Sequence, residues 1–451
     1  MAEAKVEIVS RVNIKPLCPT PNHLKHFKFS LLDELAPPPS VYVPIVLFYA
    51  ASDHDFPKIS QKLKTSLSKV FTLYYPFCGR IKGNKGNLYV DCNDEGVHYL
   101  EARVLSKLSD FLENNTNQQL NEIKGFLPLD PYKPKLDDDD EDRLIMAVQV
   151  TEFGCGGIAI GVCISHKVCD GKTVASFLQA WSQKANMGDG GDVVASSSSF
   201  NMKASLLFPP KGLEIDVNDK IGEKNTTTKR FLFSENSLCT LKEEVSRGCG
   251  FKPTRVEAVT ALIWKSALEA AITTETSQKS NSSFMLHAVN IRSRMLPPLP
   301  EDSMGNLFVS ATSPLVEVDK EMKVELQDLV EVVRKTIKMV DGDYVRKLQG
   351  GEGQELEILE SMLQKLYLVY EKGVPYYIFT SWLRLGFYKT NFGWGNPTWV
   401  CTIGVPVRNV VILMPARSGD GGIEAWVTLN EFHMSQFETS PLLLQFASFD
   451  P

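Results

Sequence analysis

The chain has 451 residues, of which 43% are hydrophobic and 23% charged, and its net charge is −6. That length exceeds what one hydrophobic core organises, so two domains are expected, and the composition excludes a disordered or fibrous chain. The acidic balance excludes a surface made for nucleic acid, and any anionic ligand needs a local basic patch.

In chain order, the start MAEAKVEIVSRVNIKP lacks the continuous apolar segment of a signal peptide. Strand-like runs follow at Tyr42 to Tyr49, Leu144 to Val150, Ile158 to Ile164, Lys229 to Phe233 and Phe284 to Val289. Helical periodicity appears in Ile59 to Val70, Thr173 to Lys184, Val256 to Ile272 and Met322 to Val340. In the last of these, Val324, Leu326, Leu329, Val332, Val333 and Ile337 share one apolar face. Strands alternate with helices over the whole length, which predicts an α/β fold with helices layered on sheets.

Residues 186–200 (NMGDGGDVVASSSSF) are rich in Gly, Asp and Ser, and the chain from Phe208 to Thr228 is polar and unpatterned. These stretches divide the chain into an N-terminal domain over 1–190, a linker over 191–228 and a C-terminal domain over 229–451. The acidic run Asp137 to Asp142 reads as a solvated loop. Nine cysteines lie scattered without a CxxC, and no stretch approaches the roughly 18 apolar residues that span a membrane. The expectation is a cytoplasmic protein with reduced thiols and no membrane or nucleic-acid partner.

Three segments could carry chemistry. In GIAIGVCISHKVCDGKT (157–173) an apolar, small-residue run ends at Ser165-His166, and the chain turns at Asp170-Gly171. A histidine at the end of a buried strand is held rigidly and still reaches a cleft, which suits a general base. Of the seven histidines only His166 has an aspartate four positions later. Asp170 before Gly at a strand-to-helix turn has a plain alternative, capping the helix that follows. It is not read as the acid of a serine-hydrolase triad, since no GxSxG elbow exists.

The second segment, Phe379 to Trp399, holds three tryptophans and four other aromatics, with Gly393 and Gly395 flanking Trp394. It reads either as a structural aromatic corner or as a site where Thr380 and Trp382 donate to a reacting oxygen. In the third, Asn290 to Asn306, Arg292 and Arg294 follow an apolar run and precede a proline-rich turn. Such arginines make a fixed ion pair or hold a phosphate. No P-loop, GxGxxG fingerprint or metal-ligand cluster is present, so no metal is expected.

Taken together, these segments resemble the BAHD acyltransferase family of plant specialised metabolism, and most closely its vinorine-synthase-like branch. The family's HxxxD is His166-Lys167-Val168-Cys169-Asp170, and its DFGWG is Asn391-Phe392-Gly393-Trp394-Gly395. PTPNHLKHFKFSLLDEL (19–35), YYPFCGR (74–80), VDCNDEGVHYLEARV (90–104), NIRSRMLPPLP and SGDGGIEAWV (418–427) match in the same order. The resemblance implies two chloramphenicol-acetyltransferase-like α/β domains with mixed sheets, joined by a crossover loop, in a monomeric enzyme.

It also implies roles. His166 is the general base of a channel that admits coenzyme A and an acceptor, and Thr380 and Trp382 stabilise the oxyanion. Asp170 pairs with Arg292 as architecture, and Asn391, Gly393, Trp394 and Gly395 are structural. Asn391 departs from the family's aspartate and loses a charge at that corner. Thr254, opening a helix in KPTRVE, and Arg384 are the candidates for the CoA phosphate. The implied reaction is acetyl transfer from acetyl-CoA to a hydroxyl of an apolar alkaloid or terpenoid. It needs acyl-CoA as co-substrate and no permanently bound cofactor. N-acylation, a malonyl or longer acyl donor, and a catalytically silent homologue acting as a binding partner are the alternatives.

Overall fold

The computed structural model describes residues 5–51, 55–84, 86–113, 116–132, 143–187, 204–213, 225–274, 282–317, 324–350 and 353–449. The acidic run 137–142 and most of the linker over 191–228 lie outside them. Contacts divide the chain into two units. One comprises the described parts of 1–222, 300–307 and 385–403; the other comprises those of 223–299, 308–384 and 404–451.

The first unit is built on a mixed sheet ordered Glu7–Ile14, Val97–Val104, Met146–Phe153, Ile158–Ser165, Tyr42–Tyr49, Trp399–Cys401. Val97–Val104 and Met146–Phe153 run parallel and the other neighbours antiparallel. Tyr42–Tyr49 and Ile158–Ser165 are buried at all eight positions each, which is why both read as continuous apolar runs. Gly161 explains the small residues of the second: a Cβ there would collide with the Phe126 carbonyl.

Two helices cover this sheet, Phe56–Val70 and Gly171–Asn186. In the latter, Val174, Phe177, Leu178, Trp181 and Ala185 are buried at helical spacing. Each large apolar side chain so buried contributes about 1.5–3 kcal/mol. Trp181 ties the two helices together, its indole N–H donating to Leu63 O at 3.2 Å and Ser66 Oγ at 3.1 Å. The sequence reading puts NFGWG with the C-terminal domain, but residues 385–403 cluster with this first unit. The reason is local: Trp399–Cys401 adds an edge strand to Tyr42–Tyr49, and Phe392 packs its ring on Trp181 with centroids 4.9 Å apart.

The second unit carries a sheet ordered Phe308–Thr312, Ser282–Asn290, Tyr376–Ser381, Val410–Pro415, Ile423–Asn430, Thr226–Phe233, Ser448–Phe449, with Val316–Glu317 beside Ser282–Asn290. It too is mixed, with a parallel centre. The helices Glu235–Gly248, Arg255–Thr274 and Leu326–Met339 supply Leu241, Trp264, Leu329 and Val333 to its core, against Phe379, Val411 and Val427. The fold class is therefore α/β, with mixed sheets in both units. The periodic segment read from Met322 forms a helix only from Leu326, after Glu325 at its N-cap.

One core residue makes this unit sensitive to acid. His287 is 4% exposed, its Nδ1 lies 3.0 Å from Ala288 O, and burial pushes its pKa down to about 4. The fold therefore favours the neutral ring, whereas the unfolded chain protonates near 6.5. That contribution is complete above pH 6.5 and is lost as pH falls towards 4. Between neutral pH and about pH 5 the loss is about 2 kcal/mol. Urea melts at both pH values should show it, and His287→Leu should flatten that part of the pH dependence.

Candidate active site

His166 follows Ser165, the last residue of the buried strand, and its backbone is fixed at once: the N–H donates to Val41 O at 2.8 Å. The residue keeps partial solvent access while its ring sits deep among protein atoms. Burial lowers its pKa below histidine's ordinary 6.5, opposed by its own backbone, the charge of Asp170 and a hydrogen bond with Asn306. A neutral ring at neutral pH is the form a base needs.

Nδ1 of His166 lies 3.1 Å from Asn306 Oδ1. Asn306 is 1% exposed, and its Nδ2 donates to Asp33 Oδ1 at 2.9 Å, His166 O at 2.9 Å and Lys167 O at 3.3 Å. Asp33, also 1% exposed, accepts from Asn306 N at 3.1 Å and from Ser30 N and Oγ at 2.8 and 2.7 Å. Burial raises its pKa, against the pull of those donors. Lys167 is buried as well, with Nζ donating to Glu34 O and Ala36 O, and burial brings its pKa down to about 8.

Asp170 takes a backbone N–H on each carboxylate oxygen. Its Oδ1 accepts from Thr173 N at 2.8 Å, capping the helix Gly171–Asn186, and its Oδ2 accepts from Leu307 N at 3.1 Å. Gly305 O accepts from Asp170 N and from Thr173 Oγ1. Asp170 thus clamps the segment that carries Asn306.

At the aromatic corner, Asn391 Oδ1 accepts from Gly393 N at 2.8 Å and Gly395 N at 3.3 Å. Both glycines have φ of +107°, where a side chain would be strained. Trp394 stacks on Phe392 at 5.6 Å, with Lys62 Nζ 5.5 Å from its ring centroid. Asn391 closes this turn with an amide oxygen, a task that needs no charge.

The other candidates lie in the second unit. Arg292 is fully buried, and its backbone N–H and Nη1 both donate to Asn290 Oδ1. Arg294 Nη1 donates to Ile337 O at 2.7 Å and to Val340 O, at the end of the helix Leu326–Met339. Thr380 is half-buried in Tyr376–Ser381, and Trp382 is buried, with its backbone N–H on Leu413 O at 2.8 Å. Thr254 and Arg384 are exposed. Thr254 forms a capping box with Glu257, which occupies its hydroxyl as an acceptor at 3.2 Å. Among the described residues no group of three or more His, Cys, Asp or Glu could hold a metal ion.

The model of the Transferase family matches residues 4–444. The chain belongs to the BAHD acyltransferase family. With the family comes the enzyme class, an acyl-CoA-dependent O-acyltransferase. This acyltransferase is 37% identical to stemmadenine O-acetyltransferase of Catharanthus roseus over 98% of each chain. It is 33% identical to limonoid 1-O-acetyltransferase of Citrus sinensis over 99% of each chain. It also resembles a crystal structure of vinorine synthase, with 34% identity, 99% of each chain covered and a TM-score of 0.81.

The acyltransferase places two residues at His166 that the sequence reading passed over, Asn306 and Asp33. A signal existed for Asp33: Ser30-Leu31-Leu32-Asp33 has capping-box spacing, and a capping box forms there. That spacing says nothing of the second carboxylate oxygen, which serves Asn306.

Asn391→Asp keeps both backbone acceptor bonds and adds a charge close to Lys62, an exposed-pair gain of about 0–1 kcal/mol. The melting temperature is expected to rise by no more than about 3 °C, with turnover unchanged. A large gain in turnover would give this corner a direct part in chemistry.

Proposed function

We propose that the enzyme transfers an acetyl group from acetyl-CoA to a hydroxyl of an apolar plant specialised metabolite, an alkaloid or terpenoid. The observation that carries this is His166, a neutral, rigidly held imidazole with partial solvent access in a chain of this family. The relatives named for alkaloid and limonoid O-acetylation support the acetyl donor and the class of acceptor.

In this reading His166 takes the proton of the acceptor hydroxyl as its oxygen attacks the thioester carbonyl. The C–O bond forms and a tetrahedral oxyanion results, with Thr380 and Trp382 as its donors. Collapse breaks the C–S bond, and the departing CoA thiolate takes the proton from the imidazolium. Holding both substrates beside one base supplies proximity, and no acyl-enzyme is needed. Asp170 and Arg292 are each architectural, and Thr254 and Arg384 serve the CoA phosphate. Nine free thiols support a reducing, cytoplasmic setting. Among the described residues no helix is long and apolar enough to cross a membrane.

The test is release of free thiol from acetyl-CoA with a panel of hydroxylated alkaloids and terpenoids, run beside amines and beside malonyl-CoA and longer acyl-CoA. Acetyl-CoA with an alcohol is expected to be the fastest pair. Faster turnover with an amine or with another acyl donor would replace this reading with N-acylation or a different acyl group.

A further inference from the structure

A neutral imidazole has one nitrogen that donates and one that accepts, so a base must be held in the right tautomer as well as the right place. HxxxD does not say how. The hydrogen bonds of Asn306 do. Its Nδ2 faces three acceptors, and two of them, the His166 and Lys167 carbonyl oxygens, can never donate. The amide therefore cannot be turned the other way without setting oxygen against oxygen. Asp33 Oδ1 reinforces this by accepting from both Nδ2 and the backbone N–H of Asn306. Asp33 is itself fixed, because its other oxygen is taken by Ser30.

With the amide so oriented, the atom 3.1 Å from His166 Nδ1 is Oδ1, and an amide oxygen only accepts. The ring proton must then sit on Nδ1, which leaves the lone pair on Nε2. We infer that Asp33 and Asn306 are positioning residues that hold His166 as the Nδ1–H tautomer, so that Nε2 takes the acceptor's proton. The inference rests on the reading of His166 as base and adds the device that aims it. It also gives HxxxD's aspartate an indirect part. Asp170 holds Leu307 N, and Gly305 O bonds Asp170 N and Thr173 Oγ1, so both neighbours of Asn306 are pinned to the start of one helix. All these groups lie in the first unit.

The test uses the full-length enzyme labelled with ¹⁵N-histidine, the His166 signals being those missing from His166→Ala. At neutral pH the wild type is expected to show a protonated Nδ1 and an unprotonated Nε2. Asn306→Leu, close in shape but unable to accept, is expected to release that preference. Its kcat should fall about 10- to 100-fold, the scale known for outer partners of metal-bound histidines, with KM for acetyl-CoA little changed. Its acid limb of kcat/KM should move to lower pH, because the lost hydrogen bond favours the charged ring. A merely structural role would not move that limb. Asp33→Asn removes the reinforcing carboxylate but leaves the two carbonyl oxygens in place, so it should loosen the tautomer preference in the same direction but less than Asn306→Leu does. A wild-type ring protonated on Nε2 overturns the inference, and so does an Asn306→Leu enzyme with unchanged kcat and pH profile. If Asn306→Leu does not fold, the wild-type spectrum and Asp33→Asn decide. Full turnover by His166→Ala would remove the base reading while leaving the tautomer assignment intact, so the two failures are distinct.

Discussion

Replacing His166 with alanine is expected to lower kcat/KM by at least about 10²–10⁴-fold, the contribution of a positioned general base. The fold should survive, because what fixes this position is backbone: the His166 N–H on Val41 O and the His166 carbonyl under Asn306 Nδ2. Neither bond involves the ring. The variant leaves Asn306 Oδ1 without the imidazole, a cost of about 1–3 kcal/mol if that oxygen stays dry. A lower melting temperature with an unchanged circular-dichroism spectrum is therefore expected beside the loss of turnover. In the wild type the base is lost as pH falls through a pKa below 6.5, so activity should persist slightly further into acid than an exposed histidine allows.

Asp170→Ala is expected to act chiefly on stability. Removing the helix cap on Thr173 N costs about 1 kcal/mol. Leaving the buried Leu307 N–H unpaired adds about 1–3 kcal/mol, so the sum is about 2–4 kcal/mol. Soluble yield and urea midpoint should fall together. Turnover per folded molecule should fall too, because the clamp on residues 305–307 is what keeps Asn306 against the ring. Asp170→Asn keeps one acceptor oxygen but sets its amide NH2 against the other N–H donor, so it should recover only part of the stability. A fully stable Asp170→Ala enzyme would show that this clamp is not needed.

The strands that build the first unit's core were legible because they are buried on both faces. Tyr42–Tyr49 and Ile158–Ser165 read as unbroken apolar runs, and the latter ends beside the histidine. Glu7–Ile14 was invisible for the opposite reason: it is a half-exposed edge strand of mixed residues, paired on one side only to Val97–Val104. HxxxD and the aromatic corner were legible as motifs, but their partners were not. Asn306 stands 140 residues from His166, and Asp33 stands 273 residues from Asn306. No periodicity or spacing encodes such pairs; only the sheet and the 300–307 segment bring them together. The same limit hid the place of Asn391, Gly393, Trp394 and Gly395, which follow Thr380 and Trp382 in sequence yet cluster with the first unit.

The claim that stands above the rest is direct acyl transfer with His166 as base. A single-turnover reaction, quenched over time and read by mass spectrometry of both protein and small molecules, tests it most directly. With acetyl-CoA and an accepted alcohol, the wild type should give one acetyl ester and one free thiol per turnover, with no added mass on the protein. His166→Ala, folded and otherwise identical, should give neither product on that timescale. An acetylated enzyme that forms before the ester, or ester made by His166→Ala at the wild-type rate, would contradict it.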